Sequence, residues 1–388
     1  MAMRDAFQSG PFGARFAAIL VALLAAVPLF AVPLSGATAG AILTVGASGA
    51  DYTTISAAVQ FADNHADVYY TIEIAPGIYV NDFSVVTAPM TIKAAAGGPV
   101  VLDATIAPTN GKAIITTSAS ATIIGLTFQG AAVSSALGSN GAGIRAQAGT
   151  AWLIVENSVF TNNQDGVLAD ADAAGNISIS GSRFFGNGFD AGGGACPSTG
   201  CDHAVYVGAV NSLLVTDSLF CGTILGHDVK SRAAVTTITN NRLYDGAADS
   251  AIGCAAGSTS YAVDVANGGV ATISGNRIIQ GAGSENRTMI AYGAEGLRYA
   301  ANALLVSNNS FVSAGVANAI GISDAPCVPA QLQGNSFQGV ATPVNPARCA
   351  VFIDHAVPEP NGALLLLVGL MGCALLGVRR TVPKPATA

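Results

Sequence analysis

The chain has 388 residues, of which 10% are charged and 46 are Gly, and its formal net charge is −7. Glycine at this frequency without a collagen period, beside 51% hydrophobic residues, excludes a disordered polymer and fits turn-dense β structure. The acidic balance, with no run of Lys and Arg along the chain, excludes a nucleic-acid backbone as partner.

In chain order, Arg4 and Arg15 come before an apolar run over residues 16–32, and Ala37-Thr38-Ala39 comes after it. A charged start, an apolar stretch and a small-x-small site form the pattern of a secretory signal peptide, here cut after Ala39. Residues 1–39 are therefore expected to be removed and the rest exported. After Leu43-Thr44-Val45, Thr54 is placed to cap a helix whose apolar face is Ile55, Ala58, Val59 and Ala62. This helix is predicted to plug the open end of a stack of strands, because an unpaired strand edge invites pairing with other chains. Short strands come next, at Tyr70-Thr71-Ile72-Glu73-Ile74 and Met90-Thr91-Ile92-Lys93.

From residue 154 onward one phrase returns: an alternating apolar run, a small polar residue, a variable residue and a large apolar one. Its seven copies close on Phe160, Phe184, Phe220, Leu243, Ile278, Phe311 and Phe337, at intervals of 24, 36, 23, 35, 33 and 26 residues. Such periods point to a stacked array in which each unit hides its apolar face only against its neighbours. The period-two alternation makes the unit a coil of short strands. Parallel stacking puts equivalent residues about 4.8 Å apart. The closing residues then form an inward apolar ladder. Ser158, Ser182, Ser218, Asn241, Asn276, Asn309 and Asn335 form a polar ladder at a corner, where turning backbone needs partners.

Two phrases carry a family likeness. Asp51-Tyr52-Thr53-Thr54-Ile55 followed by Ile74-Ala75-Pro76-Gly77-Ile78-Tyr79 resembles the opening of pectin-lyase-like right-handed parallel β-helix proteins, which include pectinesterases; with the later coils the likeness covers about residues 41–350. It implies an all-β, right-handed parallel β-helix solenoid with an N-terminal capping helix over residues 40–351. The fold hosts many functions, so activity must be read from side chains. The Asp-Phe-Ile-Phe-Gly phrase of pectinesterases does not occur, nor does a nucleophile elbow, a zinc-protease helix or a phosphate loop. The reading calls for no cofactor and no metal.

Aligning the strand after each corner gives Asp165-Gly166-Val167-Leu168, His203-Ala204-Val205-Tyr206, His227-Asp228-Val229-Lys230, Tyr261-Ala262-Val263-Asp264, Thr288-Met289-Ile290-Ala291 and Asn318-Ala319-Ile320-Gly321. The branched third residue faces the core and the fourth faces out. Tyr206, Lys230 and Asp264 are thus predicted to make an outward row on three successive coils, with Asp228 and Arg232 on the same face. Together with His203 and His227 they concentrate charge in a chain that has little. Such a groove suits an acidic sugar: Arg232 can clamp a carboxylate, and Lys230 or Tyr206 can remove the proton in β-elimination of a uronate. Val229-Lys230-Ser231 followed by Asn240-Asn241 resembles the lysine-bearing coil of alginate and chondroitin lyases of this fold. Their next coil carries Arg-His-Gly, where this chain reads Ala262-Val263-Asp264-Val265. The longer phrase from Gly226 to Ala233, with Tyr292-Gly293-Ala294-Glu295-Gly296, is more similar to exported β-helix proteins with no assigned activity. A surface ion pair between Lys230 and Asp264 accounts for the same pattern.

Seven cysteines fit an exported chain, and setting aside Cys373 in the C-terminal apolar run leaves six, which allow fifteen pairings. Cys196 with Cys201, Cys221 with Cys254, and Cys327 with Cys349 each fall within a loop or between adjacent coils, and are the expected bridges. The tail over residues 352–388 holds Pro358-Glu359-Pro360, an apolar run over 362–378, then Arg379 and Arg380. The run is at the short limit for a membrane span, and the arginines would lie on the cytoplasmic side. This three-part tail resembles the PEP-CTERM sorting signal of exopolysaccharide-producing Gram-negative bacteria. The resemblance implies recognition of Pro358, Glu359 and Pro360 by an exosortase-type membrane enzyme, transient anchoring in the inner membrane, and release to the cell envelope or extracellular matrix. There the expected partner is extracellular polysaccharide, contacted along the coils; the alternative is a polysaccharide lyase or other carbohydrate-active enzyme acting on an acidic glycan through Lys230, Tyr206 and Arg232.

Overall fold

A computed structural model describes residues 40–170, 175–188 and 202–353. The expected signal peptide, the Cys196–Cys201 bridge, Pro358, Glu359, Pro360, Arg379, Arg380 and the apolar run at 362–378 all lie outside the described residues. Within them the chain is an all-β solenoid of three parallel sheets with 12, 10 and 10 strands, and each coil hands one strand to each sheet in turn. One coil, for example, gives Trp152–Glu156 to the first sheet, Val159–Thr161 to the second and Asp165–Ala169 to the third. Parallel crossovers in one sheet are right-handed by the packing of twisted strands, which sets the sense of the coil.

Three inward ladders fill the interior. On the second sheet the rings of Phe128, Phe160, Phe184 and Phe220 stack with centroids 5.0, 4.8 and 4.7 Å apart, and Phe311 stacks on Phe337 at 4.7 Å. Leu243 and Ile278 fill the gap in that column and are fully buried. The first sheet supplies Ile92, Ile123, Val155, Ile179 and Val215 in register, and the third supplies Ile144, Val167, Val205, Val229 and Val263.

The polar corner ladder forms as expected. Asn241 donates its backbone N–H and its side-chain amide to Oδ1 of Asn276 at 2.8 and 3.0 Å, and Asn276 does the same to Asn309 at 2.9 and 3.0 Å. Each amide also donates to a first-sheet carbonyl, as Asn276 does to Ile238 O at 2.8 Å. The residue before each ladder member, Asn157, Gly181, Asp217, Asn240, Gly275, Asn308 and Gly334, has φ between 50 and 68°. Only Gly, Asn and Asp enter that left-handed region cheaply, so the corner restricts two consecutive positions and not one. A second ladder sits at the next corner, where Asn163 donates to Asn187 Oδ1 from its backbone at 3.2 Å and from its amide at 3.0 Å.

The helix at Ile55–Asn64, α1, buries Ile55, Ala58, Val59 and Ala62. They pack into the same core as Leu43, Val45, Ile72 and Val86, so α1 covers the first coil. Thr54 accepts from Ala57 N, and Asp82 accepts from Ser56 N at 3.0 Å and also from Ile55 N, which satisfies the free donors of the first turn. Cys221 is bridged to Cys254 and Cys327 to Cys349. The first bridge pins the loop over 246–257 against the outer face of the second sheet, where Tyr244, Ala247 and Cys254 form a small cluster with Cys221. Among the described residues no helix is long and apolar enough to cross a membrane.

Candidate functional site

The strands Val205–Val207, Val229–Ser231 and Val263–Val265 lie side by side in the third sheet. Their register pairs Tyr206 with Lys230 and Lys230 with Asp264, so the three form one row on successive coils. The row points away from the core without opening to water, for Lys230 is 8% and Asp264 3% exposed. The covering element is the loop after Thr288–Tyr292, which bonds back through Glu295 N to Ala266 O and Arg298 N to Asn267 O. From it Tyr299 donates its hydroxyl to Arg232 O.

That loop carries the residue that completes the cluster. Glu295 Oε1 accepts from Lys230 Nζ at 2.9 Å, and its Oε2 accepts from Arg232 Nη2. Lys230 also lies 3.5 Å from Asp264 Oδ2. Arg232 donates its other arm to the hydroxyl of Tyr206 and sits 5.3 Å from that ring. One carboxylate thus bridges two cations. Burial works to raise Glu295, but the hydrogen bonds and charges of Lys230 and Arg232 outweigh it and hold the carboxyl below its ordinary range. Burial raises Asp264 to about 6 although Lys230 opposes it, and burial also raises Tyr206.

His203 and His227 form a ring column beside this row, with centroids 4.7 Å apart, and Tyr261 continues it at 5.0 Å. His203 Nδ1 accepts from His227 N at 3.0 Å, and His203 N donates to Asp165 Oδ1 at 2.9 Å. Burial, then the charge of Lys230, lowers His227 to about 3. Its 3.4 Å contact with Asp264 is consequently that of a neutral ring and not an ion pair. The two histidines order corners and each other.

Asp228 is not on the outer face with Arg232. It is fully buried, and its carboxyl accepts from Thr223 Oγ1 at 2.6 Å. The strand begins only at Val229. Period-two alternation does not extend back into the corner, so Asp228 falls in the inward column between Ala204 and Ala262. Burial pushes it to about 8. A second correction concerns register: Thr288 pairs with Ile320 and Ile290 with Ile322, two residues from the expected alignment. A slip of two keeps every side chain on its face, so the inward column is unaffected.

Sequence reasoning assembles Tyr206, Lys230 and Asp264 and misses Glu295, Tyr299 and Thr223. Glu295 is 65 residues from Lys230 and sits in a loop, where column alignment has no purchase. The usable signal is electrostatic: Lys230 and Arg232 are two buried or half-buried cations that one neighbouring aspartate does not balance. Chemically, the Lys230 amine is hydrogen-bonded to Glu295 with Asp264 on its other side, and the Arg232 fork is already filled by Glu295 and Tyr206. Among the described residues no group of His, Cys, Asp or Glu is arranged to hold a metal ion.

The fold and its cluster define a parallel β-helix with a self-neutralised charged patch on one sheet. No protein-family model and no curated protein matches the chain. Among solved structures it is similar to the pectin methylesterase from Aspergillus niger in deglycosylated form, at 13% identity over 84% of this chain and 93% of that one, with a TM-score of 0.39. The same esterase in penultimately deglycosylated form gives 12% identity, the same coverage and a TM-score of 0.38.

Proposed function

We propose that the protein is an exported, exosortase-sorted β-helix of the cell surface or exopolysaccharide matrix of a Gram-negative bacterium, which contacts polysaccharide through the outer faces of its coils without cleaving it. The observation that carries this reading over the lyase alternative is the position of Glu295. A uronate entering for β-elimination would need its carboxylate in the Arg232 fork and a free base at Lys230 or Tyr206. The chain's own carboxylate occupies the fork and ties up the amine. The sorting half rests on the order of Pro358-Glu359-Pro360, the apolar run and Arg379-Arg380. A cut after Ala39 would leave the solenoid whole, since its first strand starts at Ala41.

Two measurements test the halves separately. Incubation with alginate, pectate and glycosaminoglycans is expected to give no absorbance from unsaturated products; a rise that disappears in Lys230→Ala would establish the lyase instead. The intact mass of protein recovered from cells is expected to begin at Gly40 and to lack the arginine-ended tail. Replacing Pro358, Glu359 and Pro360 by Ala should retain the tail, and a tail retained in the parent protein would remove the sorting assignment.

A further inference from the structure

The charges on the three outer faces are distributed unequally. From Asn176–Ser180 onward the first-sheet strands contain no charged residue. On the third sheet Lys230 lies between Asp264 and Glu295, and Arg145 lies 3.7 Å from Asp170. The second sheet differs. Its register runs Arg183, Leu219, Arg242, Arg277 in a single outward column, which is the position the repeat leaves variable. All three arginines are exposed, and none takes part in an ion pair among the described residues.

Arg242 and Arg277 are direct neighbours, about 4.8 Å apart at the backbone, and Arg183 lies two rungs, roughly 10 Å, beyond Arg242. Like charges placed opposite each other on adjacent strands destabilise a sheet. The chain carries that cost on one face although its net charge is −7. One of the arginines, Arg242, is held by a hydrogen bond. Arg242 donates to the Tyr244 hydroxyl at 3.1 Å, and Tyr244 donates to Asp249 at 2.7 Å, on the loop that the Cys221–Cys254 bridge pins down. That loop stands as a wall beside the column, with Leu219, Phe185 and Ile279 packed beneath it.

We infer that the Arg183, Arg242 and Arg277 column, walled by the 246–257 loop, is a binding strip for a linear acidic polysaccharide running along the solenoid axis. Guanidinium forks at successive rungs match carboxylate or sulfate groups repeated along a polymer. A nucleic acid fits less well, because the nearby aromatic rings, Phe185 and Tyr244, are half-buried and buried and present no face for base stacking. The inference rests on the polysaccharide reading above and names its surface.

The test is equilibrium binding of the whole folded protein to polygalacturonate and dextran sulfate, with uncharged dextran and single-stranded DNA as comparisons. The parent protein is expected to prefer the acidic glycans over both. Arg242→Ala with Arg277→Ala should weaken that binding by roughly tenfold or more and flatten its salt dependence. Arg183→Ala, on a separate coil, should weaken it by a smaller factor, and Arg287→Ala with Arg348→Ala, off this sheet, should leave it unchanged. Undiminished binding in the column variants, equal loss in the control pair, or tighter binding of DNA would overturn the strip. Failure of the parent protein to bind any glycan would remove the polysaccharide reading and the strip with it.

Discussion

At the scale of residues, burial outweighs the neighbouring lysine at Asp264, whereas at Glu295 the contacts with Lys230 and Arg232 outweigh burial. Asp264 reaches about 6 even with Lys230 beside it, so removing the lysine pushes it higher. Lys230→Ala is therefore expected to cost about 3 kcal/mol at pH 8, where it strands a buried carboxylate, and clearly less at pH 5, where Asp264 takes up a proton. Urea unfolding at both values checks this, and equal losses would contradict it. A larger pH effect comes from carboxyls inside the coil. Burial raises Asp165 to about 7, Asp228 to about 8 and Asp245 well above its ordinary range. Among the described residues one oxygen of each has no hydrogen-bond partner, so no donor there offsets the cost of burying the charge. With folded values above unfolded ones, the folded state holds protons that the unfolded chain has released. Their stabilisation is complete below the unfolded value of 3.8 and is lost as pH rises through the folded values. His227, at about 3, acts in the opposite sense only between 6.5 and 3. From pH 6.5 to 8 the melting temperature should accordingly fall, each such carboxyl costing up to about 1.4 kcal/mol per pH unit. Asp228→Asn should flatten that fall, and an unchanged slope would count against the assignment. The row of Tyr206, Lys230 and Asp264 is legible in the sequence because strand register fixes it. Asp228 is misplaced and Glu295 missed there because a corner and a loop obey no period.

At the scale of elements, the corner ladder is a chain of shared hydrogen bonds, so its members are not equivalent to isolated turn residues. Asn276→Ala removes the acceptor used twice by Asn241 and the donor to Ile238 O. The loss should be about 3 kcal/mol, since buried donors on the neighbouring coil are left unpaired. Asn276→Asp, which when protonated keeps the acceptor and one of the two amide donors, should cost less in the same denaturation experiment at a pH where the new carboxyl is protonated. Equal costs would show that the ladder's acceptors do not matter. Both the polar and the apolar ladder can be read directly, because Ser or Asn and Phe, Leu or Ile recur in a fixed phrase. The left-handed column at Asn157, Gly181, Asp217 and their equivalents also carries a restriction to Asn, Asp and Gly, which the reading of the repeat passes over. Only backbone geometry explains it, whereas the apolar alternation announces itself.

At the scale of the whole molecule, coiling turns single arginines, separated by 59 residues (183 to 242) and 35 residues (242 to 277), into a cationic column that no linear reading displays. The same coiling brings Glu295 onto Lys230 and Arg232 and closes that patch. One face is thus closed by its own ion pairs while another carries arginines outside any ion pair among the described residues, and the proposed contact with an acidic polymer uses that second face. The most direct measurement is the chain length of polygalacturonate recovered after prolonged binding to the folded protein. The account predicts that the polymer sediments with the protein and is recovered at its original length; recovery of shortened chains carrying unsaturated ends would contradict it.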